Sequence, residues 1–313
     1  MYDTLFLWLP AEWINESGYL DRVPTLLSNI KQTYNSTTEQ IYFTGGYEGL
    51  NLSVSPSGIS IKGSICKSYL KDNFKTLTRQ DTERAFESLQ DKLSLPILKA
   101  KVTRIDFSQN YSVSQLPESY YPLLGDCKGY QRLKQPKSLY YQNGSKTLLF
   151  YNKIEEGKSK KLTIPSIWAD KHILRYELRY TKRISEQFKM DIVKASDLYQ
   201  ESFYMELVDR YIREYQNIYK NNQIIDSMNL TSINTPKDFI YQMALIKIKE
   251  LGMEATFESV EQLKAKDQFK HKEYYSRLKA DIKRLCKNDK LTQQNPLITE
   301  LDKKINQVKC YCR

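Results

Sequence analysis

Histidine, closely paired cysteines and long apolar runs are what this sequence lacks. Its 313 residues include only two histidines, His172 and His271, which stand far apart. Five cysteines are present without a Cys-x-x-Cys pair, and the terminal Cys-Tyr-Cys is too closely spaced to form a zinc site alone. The sequence therefore excludes the common Cys/His zinc modules and favours free thiols in a reducing cytosol.

No stretch at the amino end is suited to a membrane. The longest apolar run there, TLFLWLP, is far shorter than the roughly 20 residues that a spanning helix needs. The same region lacks the basic lead and small-residue cleavage site of a secretory signal. We therefore expect a cytoplasmic protein with no membrane partner.

Positive charge and tyrosine are abundant instead. The sequence has 48 Lys and Arg against 37 Asp and Glu, a net charge of +11, and it contains 24 tyrosines. A basic excess of this size favours a polyanionic partner, either nucleic acid or an anionic membrane surface. Tyrosine rings can stack on bases, so we expect nucleic acid.

The first 190 residues are predicted to form an α+β domain. Alternating segments broken by Gly, Pro and Ser predict strands at 1–10 and 41–65, and a helix follows at 81–95. Further strands are predicted at 100–111 and 172–183, with a hairpin at 138–156 whose turn is Asn143-Gly144. The stretch 116–136 is predicted to be a loop. Because strands and helices do not alternate, we expect an antiparallel sheet with helices packed on one face.

The chain from 191 to 313 is predicted to be a separate helical domain. Helical periodicity covers 196–220, and a polar linker at 221–234 precedes a helix with Thr235 as its cap and Pro236 at its first position. Residues 257–287 can form a helix-turn-helix whose second helix enters the major groove. Its candidate DNA contacts are Lys270, Lys272, Arg277, Lys279 and Arg284. An ordinary solvated helix with Tyr274 on its core side is the alternative.

Three of the predicted strands share one unusual property, an apolar face opposite a charged face. Side chains alternate along a strand, so Leu174, Tyr176, Leu178 and Tyr180 are predicted to face the core. The charged faces of the three strands carry Arg104, Asp106, Tyr151, Lys153, Arg175, Glu177 and Arg179.

If these strands are neighbours, their charged faces suit phosphodiester chemistry. Asp106 and Glu177 can hold a hard divalent cation, Mg or Mn, through oxygen. Tyr151 would be the covalent nucleophile, with Lys153 supplying the positive charge that a phenol of pKa about 10 requires. The alternative is a solvated polar face in which Arg and carboxylate groups pair across strands.

The motifs in their order resemble the rolling-circle replication initiators of filamentous phages, the gene-two/gene-ten proteins, and more distantly the Rep_trans plasmid initiators. The resemblance is carried by MYDTLFLWLP, SGISIKGSICKSYL, VTRIDFSQNY, TLLFYNKIEE and LRYELRYTKRISEQF. It implies a HUH/Rep-like nicking domain over residues 1–190. It also implies an endonuclease that nicks one origin strand, forms a covalent 5′-phosphotyrosine and rejoins the strand.

The resemblance also assigns roles and partners. It implies that Tyr151 is the nucleophile, that Lys153 matches the lysine of the motif, and that Asp106 and Glu177 match the acidic residues. Arg104, Arg175 and Arg179 are then candidate DNA contacts on the same sheet. The implied partners are single-stranded and double-stranded origin DNA and a host polymerase, with a host helicase as a further candidate.

The sequence departs from the family pattern at two places. Ser60 stands where relatives carry a carboxylate, so a third metal ligand is unassigned, with Glu48, Glu155 and Glu156 as candidates. Tyr140 and Tyr141 lie in the strand predicted to pair with that of Tyr151, and either is an alternative nucleophile.

Two other functions remain compatible with the sequence. A relaxase-like or transposase-like protein would use the same strand-transfer chemistry for mobilisation. A non-catalytic DNA-binding protein could keep the fold without the reaction.

Overall fold

A computed structural model describes residues 1–14, 18–221, 223–224, 233–286 and 292–311. The strands of this part of the chain are β1 Tyr2–Pro10, β2 Ser28–Asn35, β3 Gln40–Tyr47, β4 Leu50–Ser55, β5 Gly58–Ser64, β6 Lys101–Val113, β7 Leu124–Cys127, β8 Gln131–Gln135, β9 Ser138–Gln142, β10 Lys146–Asn152, β11 His172–Tyr180, β12 Ile218–Lys220, β13 Gln223–Ile224 and β14 Thr292–Gln293.

The α-helices are α1 Tyr19–Thr25, α2 Ile65–Leu70, α3 Arg79–Leu93, α4 Lys153–Ser159, α5 Ser166–Ala169, α6 Ile184–Phe188, α7 Glu201–Gln216, α8 Pro236–Leu251, α9 Met253–Ala265, α10 Glu273–Leu285, α11 Pro296–Asn306 and α12 Val308–Tyr311. Short 3₁₀ helices lie at Ala11–Trp13, Ile97–Lys99, Pro117–Ser119, Tyr121–Leu123 and Ala195–Tyr199.

One antiparallel sheet of ten strands organises the described residues. Its strand order is β2-β3-β4-β5-β1-β6-β11-β10-β9-β8. Strand β11 pairs with β6 on one side and with β10 on the other, so the three strands with a charged face are neighbours. The predicted α+β class and the predicted antiparallel sheet are confirmed, whereas the assignment to a HUH/Rep-like nicking domain stays a prediction.

An aromatic core covers the apolar face of the sheet. Phe107 of β6 is fully buried, and its ring centroid lies 5.4 Å from that of Tyr2, 5.8 Å from that of Tyr204 and 5.7 Å from that of Tyr211. Phe150 of β10 stacks on Tyr176 of β11 at 4.5 Å. Because Tyr204 and Tyr211 both lie on α7, this helix packs against the apolar face of β1, β6 and β11.

The opposite face of the sheet is covered only in part. Phe74, Ile154 of α4 and Ile173 of β11 form a small apolar cluster there. Asn110 of β6 donates a hydrogen bond to the carbonyl of Phe74, which places the loop after α2 over this face. Helical segments therefore lie on both faces, and the expectation of helices on one face only is wrong.

The hairpin of β9 and β10 is confirmed, but its second strand ends earlier than predicted. The turn residue Asn143 accepts hydrogen bonds from the backbone N–H groups of Ser145 and Lys146. Strand β10 ends at Asn152. The Asn152 side chain accepts hydrogen bonds from the backbone N–H groups of Ile154 and Glu155 and thereby caps α4. Lys153 therefore begins a helix and is not part of the strand face that carries Tyr151.

The stretch 116–136, predicted to be a loop, contains two strands. β7 pairs with β12 in a separate two-stranded sheet, and β8 joins the end of the main sheet beside β9. β8 is largely exposed and β7 has only four residues, so neither shows the alternation of buried and exposed side chains that predicts a strand.

Helices beyond residue 190 contribute to the main core. Buried residues of α7 and α11 belong to the same apolar cluster as the sheet, whereas Leu245, Ile248 and Cys286 form a separate small cluster among α8–α10. A division at residue 190 would therefore cut through one core, and a separate carboxyl-terminal domain stays a prediction. Thr235 caps α8 with Pro236 in its first turn, as predicted, while the predicted linker at 221–234 falls largely outside the described residues.

Among the described helices, none is both long enough and apolar enough to cross a membrane.

Truncation of the central aromatic side chain tests this packing. We expect Phe107→Ala to lower the free energy of unfolding by about 3–5 kcal/mol, because it removes a buried ring and leaves a cavity. Tyr34→Ala is the control, since Tyr34 is 61% exposed on β2 and its loss should change stability by less than about 0.5 kcal/mol. Chemical denaturation of both variants measures the difference; equal stability losses would contradict the assigned core.

Candidate active site

The register of β6, β11 and β10 brings the predicted site residues onto one face. Tyr151 of β10 is paired with Arg175 of β11, and Arg179 of β11 is paired with Asp106 of β6. Side chains at these positions project to the same side of the sheet, opposite the aromatic core. The predicted convergence of the phenol and the two acids is therefore found.

Glu177 is the centre of the arrangement. Its Oε1 accepts hydrogen bonds from the Tyr151 hydroxyl at 2.8 Å and from Arg175 Nε at 2.8 Å. Its Oε2 accepts two bonds from Arg179, at 2.8 and 2.6 Å. Burial alone would raise the pKa of the Glu177 carboxyl, but the charges of Arg175 and Arg179 outweigh it and lower the pKa to about 2.

Arg175 fixes the position of Glu177 from the buried side of the site. Its guanidinium is buried and donates to the carboxylates of Glu177 and Asp3, to Ser108 Oγ and Asn110 Oδ1, and to the backbone carbonyl of Asn73. All five N–H donors of the guanidinium are thus used inside the protein. In this conformation Arg175 has no donor left for a phosphate and supports Glu177, and its contact with DNA stays a prediction.

Asp106 is paired in the same way at the outer end of the face. Arg104 donates two bonds to its carboxylate, each of 2.8 Å, and Arg179 Nε lies 3.6 Å from it. Burial raises the pKa of the Asp106 carboxyl even though both arginines oppose the shift. The side chains of Arg104 and Arg179 are 25% and 27% exposed, so these two predicted DNA contacts can reach a ligand.

Tyr151 is held between this network and an open pocket. Tyr151 lines that pocket together with Tyr140, Leu149 and Arg179. Burial raises the pKa of the Tyr151 hydroxyl well above its usual value, and the opposing charge of Arg175 does not offset it. The phenol is therefore protonated at rest, and its O–H group donates a hydrogen bond to Glu177.

Lys153 occupies a different place from the one predicted. Its ammonium is fully buried and donates to Asn73 Oδ1 and Glu156 Oε2, each at 2.8 Å, with the Phe74 ring beside it. Burial lowers the pKa of this ammonium. In this conformation Lys153 ties α4 to the loop over the sheet, and its catalytic role stays a prediction.

The two alternative nucleophiles are separated by the alternation of β9. Tyr141 faces the core, is fully buried, and donates to the carbonyl oxygens of Leu124 and Gly125. Tyr140 faces the other way, is half-buried and lines the same pocket as Tyr151. Only Tyr140 of the pair is placed where a substrate can reach it.

The carboxylates as arranged do not fit a divalent cation. Each oxygen of Asp106 and Glu177 already accepts from a guanidinium, and within the described residues there is no group of three or more His, Cys, Asp or Glu side chains that could hold a metal. Each candidate third ligand has its own place: Glu48 is paired with Lys92, Glu155 with Lys158, Glu156 with Lys153 and Lys160, and Ser60 lies on β5. Binding of Mg or Mn stays a prediction.

Sequence reasoning missed the polar groups that support the site from other elements. Asp3 of β1 accepts from Arg175, Ser64 and Asn73, and it is buried. An acidic residue inside the otherwise apolar run MYDTLFLWLP was a signal for a paired internal carboxylate. Asn73 and Asn110 carried no comparable signal, because single asparagines are ordinary in loops and strands.

The predicted helix-turn-helix residues lie on α9, α10 and their connection. Lys270, Lys272 and Arg277 are exposed, whereas Lys279 is paired with Glu261 and Arg284 with Asp281. Tyr275, not Tyr274, is the buried aromatic residue of α10, and it packs against Phe269. The helix pair exists as predicted, and its contact with DNA stays a prediction.

The low pKa of Glu177 predicts how stability responds to acid. A carboxyl with a pKa of about 2 in the folded chain and about 4.5 when unfolded stabilises the fold above pH 4.5, and the stabilisation is lost as the pH falls towards 2. Wild type should therefore lose about 3 kcal/mol more than Glu177→Gln between pH 5 and pH 2. Denaturant titrations across this range measure the difference; parallel losses in the two proteins would contradict the buried ion pairs.

Comparison with known proteins agrees with the family resemblance found in the sequence. Residues 1–200 match the model of a family described as the N-terminal region of the gene-two type of replication-associated protein. No curated protein gives a significant match. The matched segment contains β1 to β11, and with them every residue of the charged face. The chain belongs to this family of phage replication-associated proteins and is thus similar to the filamentous-phage gene-two type of replication initiator.

Proposed function

We propose that this protein initiates rolling-circle replication by nicking one strand of the origin with Tyr151 and later rejoining it. The observation that carries the proposal is that Tyr151 lines an open pocket while its hydroxyl donates a hydrogen bond to the buried carboxylate of Glu177. Membership in a replication-initiator family supplies the substrate class, origin DNA.

The reaction is a transfer of one phosphodiester linkage. The Tyr151 oxygen forms a bond to phosphorus while the bond from phosphorus to the 3′ oxygen breaks. The phenol loses its proton, and the leaving 3′ oxygen gains one. The products are a 5′-phosphotyrosyl strand and a free 3′-OH, which can prime a host polymerase. Attack by a 3′-OH on the phosphotyrosine reverses the transfer and rejoins a strand.

Arg179 is the residue that couples DNA binding to activation of the phenol. At rest it pairs with Glu177, and its charge adds to that of the buried Arg175, so that the two arginines together keep the pKa of Glu177 too low for efficient proton acceptance. A phosphate in the pocket competes for the partly exposed guanidinium, which can stabilise negative charge on the phosphoryl oxygens. Release of Arg179 would raise the pKa of Glu177 and make it a better acceptor for the Tyr151 proton.

A non-catalytic DNA-binding protein is the second candidate. Pairing of the Asp106 and Glu177 oxygens with arginines is also what a purely structural charge network shows. A relaxase-like or transposase-like strand transferase would form the same covalent adduct, so its distinction lies in the DNA sequence that is cut.

Substitution of each candidate nucleophile identifies the residue that attacks. We expect Tyr151→Phe to abolish the covalent adduct with a labelled single strand from the phage origin, because it removes the attacking oxygen. Tyr140→Phe and Tyr141→Phe should retain it. Denaturing gel electrophoresis, followed by mass spectrometry of the linked peptide, measures the adduct.

Each variant is also tested for thermal unfolding, because Tyr141→Phe removes a buried hydroxyl whose single proton is shared between the carbonyl oxygens of Leu124 and Gly125. The assay is run with Mg, with Mn and with a chelator, which tests the predicted cation. An adduct formed by Tyr151→Phe would reject Tyr151, and normal DNA binding with no adduct from wild type under any condition would favour the non-catalytic function.

The exposed cations of α10 and the preceding connection are predicted to contact phosphates. Replacing Lys270, Lys272 and Arg277 together by Ala should reduce the slope of log K against log salt by about 3 for duplex origin DNA, since each phosphate contact contributes about 0.9. Fluorescence anisotropy over a series of salt concentrations measures the slope.

A charge-matched control removes three lysines elsewhere. Lys303, Lys304 and Lys309 lie on α11 and α12, where Lys304 pairs with Glu300 and Lys309 with Asp209. Their joint replacement by Ala should leave the slope within about 1 of wild type. Equal slopes for the two triple variants would reject the helix pair as the DNA contact.

A further inference from the structure

The pocket beside Tyr151 has a lining that the nicking reaction alone does not explain. It encloses about 290 Å³ between β9, β10 and α4. This is close to the lower end, roughly 300 Å³, of the range typical for small-molecule sites. The space therefore suits a compact group such as one nucleotide.

An apolar surface forms part of this lining. Tyr140 of β9 is paired directly with Leu149 of β10, so their side chains lie next to each other on the same face of the sheet. Tyr151 follows two positions along β10 on that face and lines the same pocket. An aromatic ring with an aliphatic neighbour offers a flat apolar surface on which the face of a base can stack.

The same pocket is lined by three cations and by the carboxylates of Glu155 and Glu156. Lys137 precedes β9, Lys160 follows α4, and Arg179 stands beside Tyr151. Lys160 pairs with Glu156 and Arg179 with Glu177, while Lys137 is exposed and forms no ion pair with any other described residue. Lys137 is thus available for a phosphate, and the other two cations can be drawn from their partners.

The Tyr140 hydroxyl is not used by the fold. Tyr141 next to it donates to two backbone carbonyls, whereas Tyr140 has no hydrogen-bond partner in the part of the chain that the structure describes. A half-buried ring with an unused hydroxyl, at the wall of an open pocket, is a surface available to a ligand.

We propose that this pocket binds the single-stranded nucleotide that flanks the scissile phosphate, with its base stacked on Tyr140 and its phosphate contacted by Lys137. The proposal rests on the proposed function, because only the attack by Tyr151 places a scissile linkage at this wall. Tyr140 is then a positioning residue: it sets where the phosphodiester lies relative to the Tyr151 oxygen. A duplex cannot present a base in this way, so the strand must be melted at the nick.

The test combines removal of the ring with removal of the base. Binding is measured in the Tyr151→Phe background, so that no strand is cut, with a fluorescent single strand from the origin that spans the nick mapped by the wild-type adduct. Tyr140→Ala should weaken binding by about 5-fold to 150-fold, the range for loss of one base–aromatic stack, and Tyr140→Phe should stay within about 2-fold. Tyr34→Ala, an exposed tyrosine at the other end of the sheet, should have no effect.

A set of strands with one abasic site each then locates the base. At one position beside the nick, loss of the base should weaken DNA binding by the protein that retains Tyr140. The same loss should not weaken binding by the Tyr140→Ala variant any further, because both changes remove the same contact. With Tyr151 restored, Tyr140→Ala should raise the KM for adduct formation, and Tyr140→Phe should not.

Three outcomes overturn the proposal. They are unchanged binding by Tyr140→Ala, equal losses for Tyr140→Ala and Tyr140→Phe, and additive losses at every abasic position. Each leaves the proposed function intact provided that the adduct still depends on Tyr151. Loss of the adduct in a folded Tyr140→Phe would instead make Tyr140 the nucleophile and reject both proposals.

Discussion

The buried guanidinium of Arg175 is the interaction on which the candidate site depends. A charge inside a protein costs several kcal/mol in lost hydration, and only full pairing offsets that cost. Arg175 achieves it with five donors directed at two carboxylates, a hydroxyl, a side-chain amide and a backbone carbonyl. These acceptors come from β1, β6, β11 and the loop after α2. One side chain therefore fixes the distance between four segments and, through Glu177, the direction of the Tyr151 hydroxyl.

The need to pair buried charges also explains the alternation of acidic and basic side chains along this face. Acidic and basic side chains alternate along this face, and each acid lies between two cations or at an end of the series. In order, the series is Arg104, Asp106, Arg179, Glu177, Arg175 and Asp3. Such a face is close to neutral overall, so the net charge of +11 does not arise there. Exposed cations that form no ion pair with other described residues include Lys137 at the pocket and Lys270, Lys272 and Arg277 at α10 and the connection before it, where a phosphate can approach without displacing the internal pairs.

Burial divides the tyrosines into two groups with different chemistry. Tyr2, Tyr176, Tyr204, Tyr211 and Tyr215 are fully buried, and their rings form the core between the sheet and α7. Burial raises the pKa of the hydroxyls of Tyr2, Tyr176, Tyr211 and Tyr215, so these four remain neutral hydrogen-bonding groups. Tyr140 and Tyr151 lie on the opposite face beside open space, and Tyr151 alone is joined to a charged carboxylate there. A single alternation step in β9 separates Tyr140 from Tyr141, which packs in the core.

The sequence by itself determined the strands β1, β6, β10 and β11, the apolar and charged faces of the last three, and the family resemblance that the matched family bears out. Alternation is a local property, and a long strand with one buried face shows it clearly. Tertiary structure alone decided that the Lys153 ammonium is buried against Asn73, that Asp3 and Asn73 support Glu177 through Arg175, and that arginines occupy the carboxylates predicted to bind a cation. These features depend on contacts between residues far apart in the chain, and a pattern of neighbours cannot specify which distant group will satisfy a buried charge.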